Sequence, residues 1–592
     1  YWGPLAVVLA VALALRLWGI GQGLPYVYNV DEYGHFVPEA VAMFHHGLNP
    51  HYFINPPALS YLFHVVFAVW LGGRVGVTRE FARHPDQLFL VARVTVALLG
   101  TISVWLLYVL GARLFNRGVG LLASALMAVA FLPVFYGHLA LNDVPTLAPL
   151  TLSLVGTAGV LRKGRPLDYL LAGVGLGLAA ATKYTAGVVL IPLLAAAVTR
   201  YLDGRAGAEQ EGLAGQGSTL RRVAIGMTLA LVAAAVAYLI ANPYSLLDFH
   251  LFREELERQS KYTEQSRASW IGGPRQGSFV YYLWSFTWGL GWVPALAALG
   301  GAVSIWRRQR RVGWVLVPAA VLYLLFLGLQ GRYFGRWLLP VFPIVCLLAA
   351  SFVLELAGWA TLRAPRLPWA SAAFTALAVI ALIAQGIVYS VHSGLVLSRA
   401  DTRNLARAWV VRNIPAGAKI VVEPVVPNAW LNETGGGDAE TGGGDAASAS
   451  VRWIKFPTLR VVLNPATGAP ETRHRTVELE NYEQTLGPAL IGYYARQGYC
   501  WVISGTTQSG RALADPRLVP HAIAYYRELE RRGEVVYHVS PYSPGKGPVA
   551  FDFDWTFDYY PLAFHRPGPE MTVYRLHGGR CASATGQAAK ST

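Results

Sequence analysis

The sequence predicts an α-helical protein that crosses a membrane many times and then ends in a smaller extracytoplasmic α/β domain. Three observations predict it. Apolar runs long enough to span a bilayer recur from residue 1 to about 392 and then stop. Of the 592 residues 54% are hydrophobic and only 14% are charged, with a mean hydropathy of +0.38, which is the balance of a polytopic membrane protein and not of a soluble domain. The Arg and Lys residues behind the formal net charge of +15 fall largely in short gaps between apolar runs. That placement orients a chain in a bilayer, so the basic balance does not point to nucleic acid.

The runs lie at about 2–20, 88–112, 118–141, 144–162, 167–184, 185–202, 221–242, 279–305, 314–330, 337–358 and 369–392. The first, Pro4 to Ile20, is longer than a signal-peptide core and ends without a small-residue cleavage site, so it reads as an uncleaved span. Because the chain opens on Tyr1, some N-terminal residues are expected to precede it. A further apolar stretch at about 57–74 decides the topology. The clusters Arg113/Arg117, Arg162/Lys163/Arg165, Arg200/Arg205/Arg221/Arg222, Arg307/Arg308/Arg310/Arg311 and Arg363/Arg366 occupy every second loop, which makes those loops cytoplasmic. Counting back, 88–112 enters from outside and 57–74 does not cross. It is expected to lie along or dip into the outer leaflet, with a second short helix at about 36–46. The count is eleven spans plus two juxtamembrane helices, in a domain covering 1–392.

After Val391 the chain turns polar and is punctuated by Pro and Gly, and 393–592 reads as the extracytoplasmic domain. In DTRNLARAWVVRNIP an Asp precedes apolar residues at helical spacing, AKIVVEPVV reads as a strand, and GYCWVISGT, HAIAYYRELERRG, EVVYHVS and MTVYRL continue the alternation. The tandem ETGGGDA from Glu433 to Ala446 reads as a flexible insertion, with an acidic Ca²⁺-binding loop as the alternative. Cys346 lies in an apolar run and reads as a small core residue. Cys500 and Cys581 share a compartment and can pair if it is oxidising, which spacing alone does not decide.

Four features carry candidate chemistry, all assigned to the outer side. Asp31 and Glu32 stand together in NVDEYGHFVPEA just after the first span. Adjacent carboxylates are costly beside lipid, so they are expected on a loop facing an aqueous cavity, where one can take a proton from an acceptor hydroxyl. A helix cap and a salt bridge are the plainer alternative. Asp143, after HLALN and before Pro145, is the second acid; the two can divide base and orienting roles, or hold a divalent cation with Glu32 and nearby histidines. His35, His45, His46, His51 and His138 form no recognised ligand pattern, so no metal ligand is assigned. Lys183, alone between two apolar runs, either snorkels to the interface or binds an anion such as a lipid phosphate. Arg332 and Arg336, in RYFGRW, carry paired donors suited to phosphate, with interface anchoring as the alternative.

Read in order, NVDEYGHFVPEA, NPHYFINPPALSYL, VARVTVALLGTISVWLLYVLGARLF, HLALNDVPT, GLAAATKYTA, ANPYSLLDF and RYFGRWLLPVFPI resemble the membrane glycosyltransferases of C-type (GT-C) fold. The resemblance is to the protein O-mannosyltransferase and aminoarabinose lipid A transferase group and covers about residues 1–360. It implies Asp31 as catalytic base with Glu32 supporting it, Asp143 as the second acid, and Lys183 after the fifth span. It further implies a polyprenyl-phosphate-linked sugar, transfer with inversion, and two juxtamembrane helices in the first outer loop. One departure stands out. The protein mannosyltransferases typically carry an Arg shortly before the second acid, whereas this chain reads GHLALND, which argues against a eukaryote-like transfer of mannose to protein.

The function expected is transfer of a hexosyl or pentosyl group from a polyprenyl phosphate to a hydroxyl of an extracytoplasmic protein, lipid or glycan, in the plasma membrane. Its partners would be that donor, that acceptor and membrane lipids, with no nucleic acid. The alternative is a non-catalytic assembly subunit or a transporter of lipid-linked sugars.

Overall fold

In an apolar run the backbone has no water to pair with and closes its hydrogen bonds along a helix. The computed structural model describes residues 1–210, 216–264, 271–363, 368–432, 451–463, 469–552 and 561–581, and each of the eleven apolar runs is helical there. Among the described residues seven helices are long and apolar enough to cross a membrane, and up to nine if each bent pair counts as one span. Of the other expected spans, 117–138 is a pair bent by 61°, and Trp2–Leu17, Leu147–Arg162 and Pro166–Thr182 are shorter apolar helices.

The stretch between the first span and Pro85 holds more structure than its sequence suggests. Helices run over Val30–Gly34, Val37–His46, Ala58–Leu71 and Arg74–Arg83. The last two meet at 94° where Gly72 and Gly73 take positive φ, a conformation that costs glycine little.

Small residues draw three helices together. A Cβ on Gly175 would lie 2.3 Å from the Ser153 nitrogen, and one on Gly173 or Gly177 would lie 2.1 or 2.2 Å from the carbonyl oxygens of Ala230 or Ala234. The helix Pro166–Thr182 is therefore packed backbone against backbone on two sides, the close approach that small residues permit in membranes.

The C-terminal region begins with helix Thr402–Asn413, capped by the Asp401 side chain on the Arg403 nitrogen at 2.8 Å. Among the described residues seven strands follow: β1 Lys419–Val422, β2 Ile454–Lys455, β3 Val461–Leu463, β4 Pro470–Thr472, β5 Trp501–Gly505, β6 Gly533–Val539 and β7 Met571–Leu576. The main sheet has the order β2-β1-β5-β7-β6, with β2, β1 and β5 parallel and β7 antiparallel to both β5 and β6. Side chains alternate across it. Val421 and Val502 pack with Leu490, Tyr494 and Tyr525 on one face, while Ile420, Val422, Ile503 and Val573 pack with Trp430 and Trp453 on the other. Cys500 and Cys581 are joined in a disulfide, and Cys346 is buried and free. The ETGGGDA tandem lies outside the described residues.

The sheet region docks on the first loop. Tyr28 donates to Asn404, the Asn404 amide donates to the Leu24 carbonyl at 3.1 Å, and the Arg403 guanidinium sits 3.7 Å from the Tyr28 ring centre.

Candidate active site

Asn29 caps the short helix Val30–Gly34 by accepting from the Glu32 nitrogen at 3.1 Å, so the acidic pair sits on a helical turn and not on the open loop expected. Neighbours on a helical turn point in different directions. Glu32 turns inward and is fully buried; its Oε1 accepts from Arg93 Nε at 2.7 Å and from the Ala140 nitrogen at 2.8 Å, and its Oε2 from Arg93 Nη2 at 2.8 Å. Arg93 Nη1 donates to the carbonyls of Ile20 and Gln22, both at 2.8 Å. A buried charge pair is tolerated when hydrogen bonds beyond the pair itself serve its lone pairs and protons, as these do. Glu32 therefore fastens the first loop, the helix Pro85–Leu114 and the 139–143 segment to one another.

Asp31 points the other way, and 46% of its side chain is exposed. Its Oδ2 accepts from Arg336 Nη2 at 2.7 Å. Arg336 Nε also lies 3.7 Å from Asp143 Oδ2, and Asp143, whose side chain is only 4% exposed, accepts from Lys183 Nζ through Oδ1. Four residues from four distant parts of the chain thus alternate in charge: Asp31, Arg336, Asp143, Lys183. Two carboxylates and two cations leave the group formally neutral.

Lys183 is held in place by amides. The last carbonyls of a helix have no partner within it, and here Asn142 Nδ2 donates to the Thr182 carbonyl at 2.9 Å while Asn242 Nδ2 donates to the Ala181 carbonyl at 3.0 Å. Two quoted motifs, HLALND and ANPYSLLDF, supply these caps. The Arg336 guanidinium rests 4.4 Å from the Phe334 ring centre and 6.0 Å from that of Tyr136, within range of cation–π attraction.

Of the residues singled out in the sequence, Asp31, Asp143, Lys183 and Arg336 come together, whereas Glu32 and Arg332 do not join them. Glu32 belongs to the Arg93 pair, and Arg332 is bound to Glu480 of the C-terminal region. Arg93, Asn142 and Asn242 in their holding roles were not foreseen, although a lone Arg within the apolar run 88–112 already called for a buried carboxylate. His35 stacks on Tyr52 at 4.4 Å and lies 3.7 Å from Glu39, and both nitrogens of buried His138 face carbonyls, of Phe135 at 3.2 Å and Trp18 at 3.0 Å. Among the described residues no group of three or more His, Cys, Asp or Glu side chains could hold a metal ion.

Residues 86–206 match the family model described as dolichyl-phosphate-mannose-protein mannosyltransferase, a stretch that holds Arg93, Asp143 and Lys183. No curated protein matches the chain by sequence. Among solved structures, the archaeal oligosaccharyltransferase AglB from Archaeoglobus fulgidus, in complex with an inhibitory peptide and a dolichol-phosphate, aligns over 95% of this chain and 75% of its own. The identity is 13% and the TM-score 0.51. The Archaeoglobus fulgidus oligosaccharyltransferase in the apo form aligns over 93% and 74%, at 13% identity and a TM-score of 0.50. ArnT from Cupriavidus metallidurans bound to undecaprenyl phosphate aligns over 97% and 98%, at 13% identity and a TM-score of 0.45. The protein has the GT-C fold of membrane glycosyltransferases, with a small C-terminal sheet region.

Proposed function

We propose that this GT-C membrane protein is an inverting glycosyltransferase that moves a sugar from a polyprenyl phosphate to an acceptor hydroxyl, with Asp31 as the general base. The observation that carries the reading is the alternating group Asp31, Arg336, Asp143, Lys183. A phosphate entering beside Lys183 competes with the carboxylates for both cations. As Arg336 turns toward phosphate oxygens, it releases the exposed carboxylate of Asp31, while buried Asp143 keeps the Lys183 ammonium aimed.

The acceptor hydroxyl then gives its proton to Asp31 and its oxygen forms a bond to the anomeric carbon. The bond from that carbon to the phosphate oxygen breaks, and its electron pair leaves with the lipid phosphate. Charge grows on that oxygen in the transition state, opposite Lys183 and Arg336. One preorganised donor at such a position is worth roughly 2.7–4 kcal/mol of barrier. The dolichol-phosphate named in the AglB complex is the lipid class this donor belongs to. We assign the group to the extracytoplasmic side of the plasma membrane, on the distribution of Arg and Lys among the loops.

Asp31→Asn is the test. Assayed with a panel of polyprenyl-phosphate sugars, it should abolish release of lipid phosphate while folding and binding of the lipid phosphate persist. An active, well-folded Asp31→Asn protein would overturn the assignment. Movement of the lipid without cleavage by the unaltered protein would favour the transport alternative.

A further inference from the structure

The segment 330–334 has no regular secondary structure, so its course is fixed by what its side chains touch. Arg332 is bound to Glu480, which lies on the 3-10 turn Leu479–Thr485 of the C-terminal region. The Tyr333 hydroxyl donates to the carbonyls of Pro274, at 3.2 Å, and Gln276. That second segment is itself held by the C-terminal region: Arg511 Nε donates to the Ile271 carbonyl at 3.0 Å, the Gly272 nitrogen donates to Asp515 Oδ2 at 2.6 Å, and Arg275 donates to the Ala514 carbonyl. Between Arg332 of this segment and Arg336, on the 3-10 helix Gly335–Val341 that follows it, stands Phe334, with the Arg332 guanidinium 5.4 Å and the Arg336 guanidinium 4.4 Å from its ring centre. A continuous set of contacts therefore runs from Glu480 through Arg332 and Phe334 to Arg336, and from there to Asp31 and Asp143.

We propose that Glu480 is a positioning residue for the active site, acting through Arg332 and Phe334 to set where Arg336 meets the two carboxylates, so that the C-terminal region governs the competence of the membrane-embedded centre. A part-exposed ion pair stabilises a fold little in itself. Its consequence here comes from the segment 330–334, which leads into the turn carrying Arg336 and has no regular secondary structure of its own. For catalysis the inference rests on the glycosyl-transfer reading; the positioning of the loop does not.

The experiment uses the full chain in detergent, with Glu480→Gln, Glu480→Asp, Arg332→Gln and the Glu480→Gln/Arg332→Gln double variant, and Glu530→Gln, an exposed carboxylate of the same region, as control. Hydrogen exchange is read on a peptide spanning 328–338, and sugar transfer is measured beside it. Each single neutralising change should speed exchange in that peptide and lower kcat about 2- to 30-fold at unchanged melting temperature. The double variant should be no worse than either single change, and Glu480→Asp should restore most of the rate. Unchanged exchange in Glu480→Gln, or losses that multiply in the double variant, would overturn the inference. If the unaltered protein transfers no sugar while Glu480→Gln still loosens the peptide, the functional reading fails and the coupling stands.

Discussion

Glu32 and Asp31 are neighbours of the same chemistry, and the structure gives them opposite fates. Replacing Glu32 with Gln removes a fully buried carboxylate whose two oxygens receive two Arg93 donors and the Ala140 nitrogen at 2.7–2.8 Å. The amide turns an NH₂ group toward donors and strands a guanidinium at 0% exposure. Breaking a buried pair from one side costs about 3–5 kcal/mol, a large share of the stability of an ordinary domain. The assay is thermal unfolding in detergent, read beside turnover of whatever protein remains folded. Glu32→Gln should lower the melting temperature by many degrees, and Glu32→Met/Arg93→Met should recover part of it, because a matched apolar pair strands no charge. The recovery is only partial, since the Ala140 nitrogen and the Ile20 and Gln22 carbonyls lose their partners. A Glu32→Gln protein that melts like the unaltered chain yet has lost turnover would refute the separation of the two acids into one that reacts and one that fastens.

Lys183→Met leaves buried Asp143 with Arg336 alone; affinity for polyprenyl phosphate in micelles should fall about 10- to 100-fold, the worth of a charged hydrogen bond. Gly175→Leu must place carbon atoms 2.3 Å from the Ser153 nitrogen and 2.7 Å from the Pro149 carbonyl, so folded yield should collapse on size exclusion, beyond the 1–3 kcal/mol typical of overpacking. In the C-terminal region burial pushes Glu423 up to about 7 from an ordinary 4.5, against hydrogen bonds from Ser504, Gly505 and Tyr526. Between those values the folded chain keeps a proton that the unfolded chain has lost. Its contribution to stability therefore falls as pH rises through that window, by roughly 1.4 kcal/mol per unit, and levels off above it. The stability difference between the unaltered protein and Glu423→Gln should show that slope between pH 5 and 7, and a flat or rising difference would contradict it.

Charge beside long apolar runs is rare enough that the alternating group could be picked out residue by residue. Asp31, Asp143, Lys183 and Arg336 were all visible in this way. The same rule also selected Glu32 and Arg332, because it registers that a charge needs a partner and not which partner it finds. Glu32 meets Arg93 across 61 positions and Arg332 meets Glu480 across 148, and nothing local in the chain announces either pairing. The helices at 402–413 and 520–532 and the strands at 419–422, 501–505, 533–539 and 571–576 were legible from period and capping residues. The strands β2, β3 and β4, of two or three residues each, were too short to show a period. The number of spans is harder to read, since three of the apolar helices have only 16 or 17 residues, near the lower bound for crossing a bilayer.

The glycine-lined packing of helix Pro166–Thr182 leaves its tip almost no latitude, for backbone pressed on backbone cannot be re-spaced by a change of rotamer. The amine at its end is thus a fixed jaw. Arg336, on the short 3-10 helix Gly335–Val341 just after an irregular stretch that answers to a separate part of the protein, is the movable one. Selection for new donors or acceptors in proteins built this way has room to work on the movable side, and substitutions that retune preference should gather around residues 330–337 and their contacts, leaving the helix beneath Lys183 alone.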